Sequence, residues 1–309
     1  METNGTALWA WYGAAMDAVF SAAERFVLGE ARLLERRLFG AAYLGLSPSG
    51  VVDALRGYQN GDGGFGHALE PDVRCPASLP LATEVALQVM AASGTVEPSM
   101  VLRACDYLAG TAETAGAGGG VPLALPVIEG FARAEHMTEW TYVPALNPTA
   151  GLAGLLYQLQ VEHPWREQAT TWCWAQLERD DAVTDAHTLS EVLVFLEHVP
   201  DRERAIARAR DLAERFDDIA HLQIDPEAEG YGLSPLHMAP TPWSPWLDFF
   251  PPDAIEAHLA RLQAAQQADG GWPITWSPPT QAAVTEWRGV VTVQAVRTLT
   301  AYGRVDNTP

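Results

Sequence analysis

The sequence predicts an all-α fold in which helical hairpins close into an inner and an outer ring. Three observations lead there. No segment alternates apolar and polar residues at the period of a strand. The helical stretches also sort into two kinds. Residues 81–92, 149–159, 186–197 and 290–301 are apolar nearly all round, whereas 47–58, 97–109, 164–178, 201–216 and 253–267 carry a stripe among charges. A helix apolar on every side is buried on every side, and a striped one covers a core from outside. Their alternation implies stacked hairpins with a weak repeat, about five to six in a chain of this length. Finally, one turn occurs twice: Gln59-Asn60-Gly61-Asp62-Gly63-Gly64-Phe65 and Gln266-Gln267-Ala268-Asp269-Gly270-Gly271-Trp272. Each copy ends a striped helix. Asp-Gly and Gly-Gly supply positive φ without steric cost, the aromatic is expected to cover the helix end, and the Gln to satisfy orphan backbone groups there.

Taken in order, residues 1–20 read as an N-terminal extension to a single domain spanning 1–309. Residues 21–40 have helical periodicity and stop at Gly40. Ser47 is expected to cap the next helix, with Pro48 in its first position. After the first Asp-Gly-Gly turn, a loop with Pro71, Pro76 and Pro80 leads into the apolar helix that ends at Gly94. Glu97-Pro98 opens a helix to about Gly110, and 114–120 is a Gly-rich loop. Residues 122–144 are irregular and hold His136, Trp140 and Tyr142. Asn147 and Asp185 are expected N-caps of the next two apolar helices. On 164–178, Trp165, Trp172, Trp174 and Leu177 share a face. Residues 219–252 form a long loop rich in Pro and aromatics over the ring, and the last helix, 286–301, ends at Gly303.

Composition narrows the chemistry. A net charge of −20 opposes phosphate neutralisation and so argues against nucleic acid. All 19 basic residues are Arg. Without Lys there is neither a P-loop of the usual kind nor a Schiff base. Three scattered Cys and no Cys-x-x-Cys argue against a disulfide framework and a zinc ribbon, and favour a reduced, cytoplasmic setting. The apolar stretch 7–20 is broken by Asp17 and lacks preceding basic residues, unlike a signal peptide. No apolar run reaches the ~20 residues of a membrane span.

The alternating helices and the Gln-x-x-Asp-Gly-Gly-aromatic turns resemble the repeats of the prenyltransferase and squalene/oxidosqualene cyclase superfamily. The resemblance implies a single α/α toroid, about half the length of a two-domain cyclase, with Gln59–Phe65 and Gln266–Trp272 as Gln-Trp-like motifs. It departs from the family where the chemistry lies. The acid motif Asp-x-Asp-Asp-Thr is matched only in composition by Asp180–Thr188, with Ala186 where the acid belongs. Asp72 and Cys75 do not have the spacing of the zinc ligands of protein prenyltransferases.

In such a toroid with parallel inner helices, the segments preceding those helices meet at one mouth. That places His67, Glu70, Asp72 and Glu84 from the first, Trp140, Tyr142 and Asn147 from the second, Asp185 and His187 from the third, and Trp272, Trp276, Glu286 and Trp287 from the last. Tyr231, Trp243 and Trp246 of the long loop are expected over the same mouth. Glu70-Pro71-Asp72 is the foremost acidic pair, because it sits in a loop with no legible packing duty. His next to a carboxylate suits proton transfer. The leading expectation is an enzyme, an isomerase or lyase like the terpene cyclases, in which a carboxylic acid protonates a small isoprenoid or polyene-like substrate and indole faces steady the cation. Paired carboxylates with His beside stacking aromatics equally describe a glycosidase or epimerase. A third reading is a non-catalytic toroid that binds a hydrophobic ligand or a protein. No metal or cofactor is expected, apart from Mg2+ if the substrate is a diphosphate.

Overall fold

The computed structural model describes residues 18–138 and 141–306. These form twelve α-helices with only isolated β-bridges between loops. They are α1 (18–30), α2 (Leu33–Tyr43), α3 (Ser49–Leu55), α4 (Pro80–Ser93), α5 (Pro98–Thr114), α6 (Leu146–Gln158), α7 (Pro164–Leu177), α8 (Ala186–His198), α9 (Arg202–Ala213), α10 (Pro235–Met238), α11 (Pro252–Ala264) and α12 (Gln281–Ala301). The chain is therefore all-α. No helix among the described residues is long and apolar enough to cross a membrane.

Side-chain chemistry sets several of the helix starts. Glu97, Asp185, Asp201 and Thr280 each accept a first-turn backbone N–H, as does the His163 ring. Such caps satisfy donors that have no partner within the helix. Gly94 closes α4 at φ 66°, in the left-handed region that suits glycine.

Several boundaries differ from expectation. The helix expected over 21–40 is two, broken at Arg32, whose backbone is extended so that its guanidinium can leave the helix. Ser47 lies one position outside the cap of α3, and its hydroxyl meets the N–H and hydroxyl of Ser49. Asn147 caps nothing: it sits inside the first turn of α6 with non-helical φ/ψ, before a cis peptide to Pro148. α5 runs a turn beyond Gly110, and α12 starts at Gln281, capped by Thr280. The 219–252 segment, expected as a loop, contains the short helix α10.

The even-numbered helices pack in succession, α2 on α4, α4 on α6, α6 on α8 and α8 on α10. α11 then joins α10 to α12, and α12 packs back on α2. α6 and α8 pack most extensively. Gly154 meets the backbone of Val194 and Phe195, and Gly151 lies against the Glu191 carboxylate. Contacts that advance together along both helices make them parallel. A Cβ at either glycine would collide, so glycine is what permits this approach.

The Gly-Gly turn is built the same way in both copies, and a third copy is present. Gly63 and Gly64 lie on the Arg103 carbonyl and Tyr107 ring of α5, and Gly270 and Gly271 on the Ala22 carbonyl and Phe26 ring of α1. Gly119 and Gly120 pack likewise on Gln168 and Trp172 of α7. The residue after each pair sends its N–H to a buried threonine hydroxyl, Phe65 to Thr83 at 3.2 Å, Val121 to Thr149 at 3.0 Å and Trp272 to Thr292 at 3.0 Å. The glutamines act differently from expectation. Gln59 Nε2 donates to the carbonyls of Gly63 and Met100, and Gln266 Nε2 to those of Gly270 and Val19. Each ties its turn to a neighbouring helix rather than capping the helix it follows.

Candidate functional site

The loop between the first Gly-Gly turn and α4 is held under strain. His67 and Ala68 both have positive φ, 55° and 58°, a conformation that costs non-glycine residues free energy and persists only where surroundings enforce it. Arg32 does the enforcing. Its Nη1 donates to the carbonyls of Ala68 at 3.2 Å and Leu69 at 3.0 Å, while Glu35 grips the other side of the guanidinium at 2.7 and 3.0 Å. Downstream, Arg74 forms a bidentate pair with Glu286 of α12. Arg74 N donates to Ala132 O, and Ala134 N to Asp72 O, both at 2.9 Å. Glu70 and Asp72 lie between these clamps, 7% and 4% exposed.

Asp72 is the hub of the cluster. Trp287 Nε1 donates to its Oδ1 at 2.9 Å, and His136 Nε2 stands 3.5 Å from its Oδ2. From Trp287 an edge-to-face series of rings runs outward, to Trp276 at 5.0 Å between centroids and from Trp276 to Tyr231 at 6.2 Å. Tyr231 stacks on His187 at 5.7 Å and shares a 2.8 Å hydrogen bond with its Nε2. The other ring nitrogen of His187 faces Asp185 at 3.6 Å. Six stretches of chain, near residues 72, 136, 187, 231, 276 and 287, thus meet in one aromatic and acidic patch.

The carboxyls of this patch are tuned in opposite directions. Burial, with the Asp72 charge adding to it, pushes Glu70 up to about 8, and Arg32 offsets only part of this. Burial also raises Asp72, against the pull of the Trp287 hydrogen bond and of His136. Burial acts on Asp185 too, but hydrogen bonds from His187 and Thr188 outweigh it and hold that carboxylate well below its usual range. A site with one carboxyl biased toward the acid and another firmly ionised has the elements of paired acid and base roles.

Of the residues expected at the mouth, Asp72, Asp185, His187, Tyr231, Trp276, Trp287 and Glu286 come together, with Glu70 buried beside Asp72. Others lie elsewhere. His67 is exposed and bonds Asn60 Oδ1 at 2.9 Å in the turn. Trp272 is buried and gives its indole N–H to the Leu262 carbonyl, and Trp246 gives its own to Leu193, so both are parts of the frame. Trp243 is 73% exposed, away from any aromatic lining. Tyr142 bonds Glu129 at 3.0 Å, Asn147 is half-buried at the start of α6, and Trp140 lies outside the described residues. Glu84 sits deeper, on α4.

Sequence reasoning did not select Arg32, Arg74, His136 or Glu191. The first three gain meaning only from contacts between distant stretches of chain. Glu191 did carry a signal, as a carboxylate in a nearly apolar helix one turn after His187. Two surface hollows share no lining residue with the patch. One of about 290 Å3 is bounded by Arg25, Phe26 and Arg288, and one of about 400 Å3 by His163 and Arg166. Among the described residues, no group of three or more His, Cys, Asp or Glu is placed to hold a metal ion.

Comparison with protein-family models gives no match, and no curated protein matches the chain.

Proposed function

We propose that the chain is an α/α toroid of six helical hairpins, similar to the repeats of the squalene cyclase and prenyltransferase superfamily, and that its mouth carries out acid-dependent cyclisation or isomerisation of a small isoprenoid or polyene-like substrate. The toroid reading is supported by the packing circuit from α2 to α12 and back, and by the docking of the last Gly-Gly turn on α1.

The functional reading rests on one observation above all. Asp72 is buried, its affinity for a proton is raised, and it is gripped by Trp287 beside the rings of Trp276 and Tyr231. A carboxylic acid beside π faces supplies a proton and then steadies the cation that results. In this reading Asp72 is the acid, with Trp287 and His136 positioning it. Trp276 and Tyr231 face the developing charge, and the Asp185–His187 pair takes a proton at the end of the sequence. The test is turnover of a panel of linear isoprenoids and polyenes by the wild-type chain and Asp72→Asn. Expected is turnover lowered by roughly 10²–10⁴-fold in the variant. Undiminished turnover by Asp72→Asn would overturn the assignment.

A second reading, a glycosidase or epimerase, is favoured by the 41% exposure of Tyr231 beside the carboxylates, since an open aromatic face next to acids is how a sugar is held. Turnover of a saccharide and of no polyene would select it.

A further inference from the structure

Below the mouth lies a second pair of carboxyls. Glu84 stands in the second turn of α4 and Glu191 in the second turn of α8, with α6 packed between the two helices. They reach each other because position 151 of α6 is glycine: a Cβ there would fall on both Glu84 Oε1 and Glu191 Oε2. Both oxygens are among the buried side-chain atoms left without a hydrogen-bond partner. Glu84 is 3% exposed. Two carboxylates that converge in a buried space cannot both stay ionised, and a single proton held between them satisfies both oxygens at once. Among the described residues no Arg forms an ion pair with either carboxylate. The charged or titratable group that reaches the pair is His187, one turn earlier on α8, whose ring is tied to Tyr231 in the mouth.

We propose that Glu84 and Glu191 form a second acid–base centre, a carboxyl pair that shares one proton at neutral pH and lies one helical turn beneath the His187–Tyr231 contact. The proposal rests on the reading of the mouth as a site of proton transfer, and extends it inward. When the shared proton passes to a basic atom of a ligand, its O–H bond breaks, the ligand gains the proton, and the pair is left with two negative charges. Transfer back from the ligand or from solvent restores it. The electronic cost of the doubly ionised state makes the pair a one-proton device, because it releases a proton only to an acceptor that brings compensating positive charge. Its own burial and the like charge of Glu191 beside it act in the same direction on Glu84.

Infrared difference spectroscopy of chain with carbon-13 at Glu tests the pair without any substrate. Glu70→Gln is the background, since Glu70 also holds a proton near neutral pH. At pH 7 one protonated Glu band is expected to persist in that background, and to be lost in Glu84→Gln and equally in Glu191→Gln, where the amide donates to the remaining carboxylate. Gly151→Ala, which drives the carboxyls apart, is expected to move the band or abolish it. Should a replacement not fold, the background protein alone decides, by the presence or absence of the Glu band between pH 6 and 8. Absence of that band, or its survival in either Gln variant, overturns the proposal. Because the readout is a proton and not a product, the pair can fail while Asp72 is upheld, and the reverse.

Discussion

Trp287 gives its indole N–H to the Asp72 carboxylate at 2.9 Å, joining positions 215 apart in the sequence. The contact brings the last helix to the loop that follows the first Gly-Gly turn. Arg74 and Glu286, the near neighbours of these residues, pair beside it, so two polar contacts fix one loop to one helix. A hydrogen bond to the charged form favours that form. Replacing Trp287 by Phe keeps the ring and removes the donor. Asp72 is expected to move further above the usual carboxylate range, with far-ultraviolet circular dichroism unchanged. Carbon-13 NMR titration of the Asp72 side chain checks this, and an unmoved or lowered midpoint contradicts it.

Glu35 is buried and Arg32 nearly so, and Arg32 also serves two loop carbonyls. Removing one member of such a pair leaves an uncompensated buried charge, at a cost of about 3–5 kcal/mol. Arg32→Met is expected to lose that much in denaturant unfolding. The double change Arg32→Met with Glu35→Leu is expected to recover a good part of it, as no lone charge remains. A double variant as unstable as the sum of the two single ones would show that the pair is not coupled.

The three Gly-Gly turns hand a backbone N–H to Thr83, Thr149 and Thr292, each fully buried. Thr→Val at any of these keeps the shape and orphans the N–H, costing about 1–3 kcal/mol. The three losses are expected to be alike, since the geometry is repeated. Gly63→Ala and Gly270→Ala are expected to cost more, because each adds a collision with a carbonyl to a φ near 95°. Unfolding midpoints of the five variants would test both points.

Stability is expected to fall as pH rises from about 5 to 8. Glu70 ionises near 4.5 in the unfolded chain but holds its proton to about 8 in the folded one. Over that interval the native state binds more protons than the unfolded state, so the contribution of Glu70 is complete below 4.5 and is lost on the way to 8. Asp185, lowered in the fold, has the opposite sign and acts only toward acid pH. Glu70→Gln is expected to flatten the alkaline slope. An equal slope in the variant would show that Glu70 is not the group responsible.

The sequence by itself determined the all-α class, most helix ends and the two Gly-Gly turns, because these follow from local rules. Periodicity sorts buried from striped helices, a capping side chain acts within its own turn, and positive φ calls for glycine where the chain doubles back. It also pointed to Asp72, Asp185 and His187, each at or just ahead of the start of a buried helix. Tertiary structure decided the rest. The third turn at Gly119-Gly120 has neither the Gln nor the aromatic, and its likeness is visible only in its contacts with α7 and Thr149. Trp272 and Trp246 look like lining residues in sequence but spend their N–H groups on carbonyls of the frame, and Trp243 stands in water. Arg32 breaks a helix to clamp a loop, and Glu191 meets Glu84 across a glycine of a third helix. Such contacts depend on which loops and helices become neighbours, and that is set by the packing of the whole chain rather than by any spacing within it.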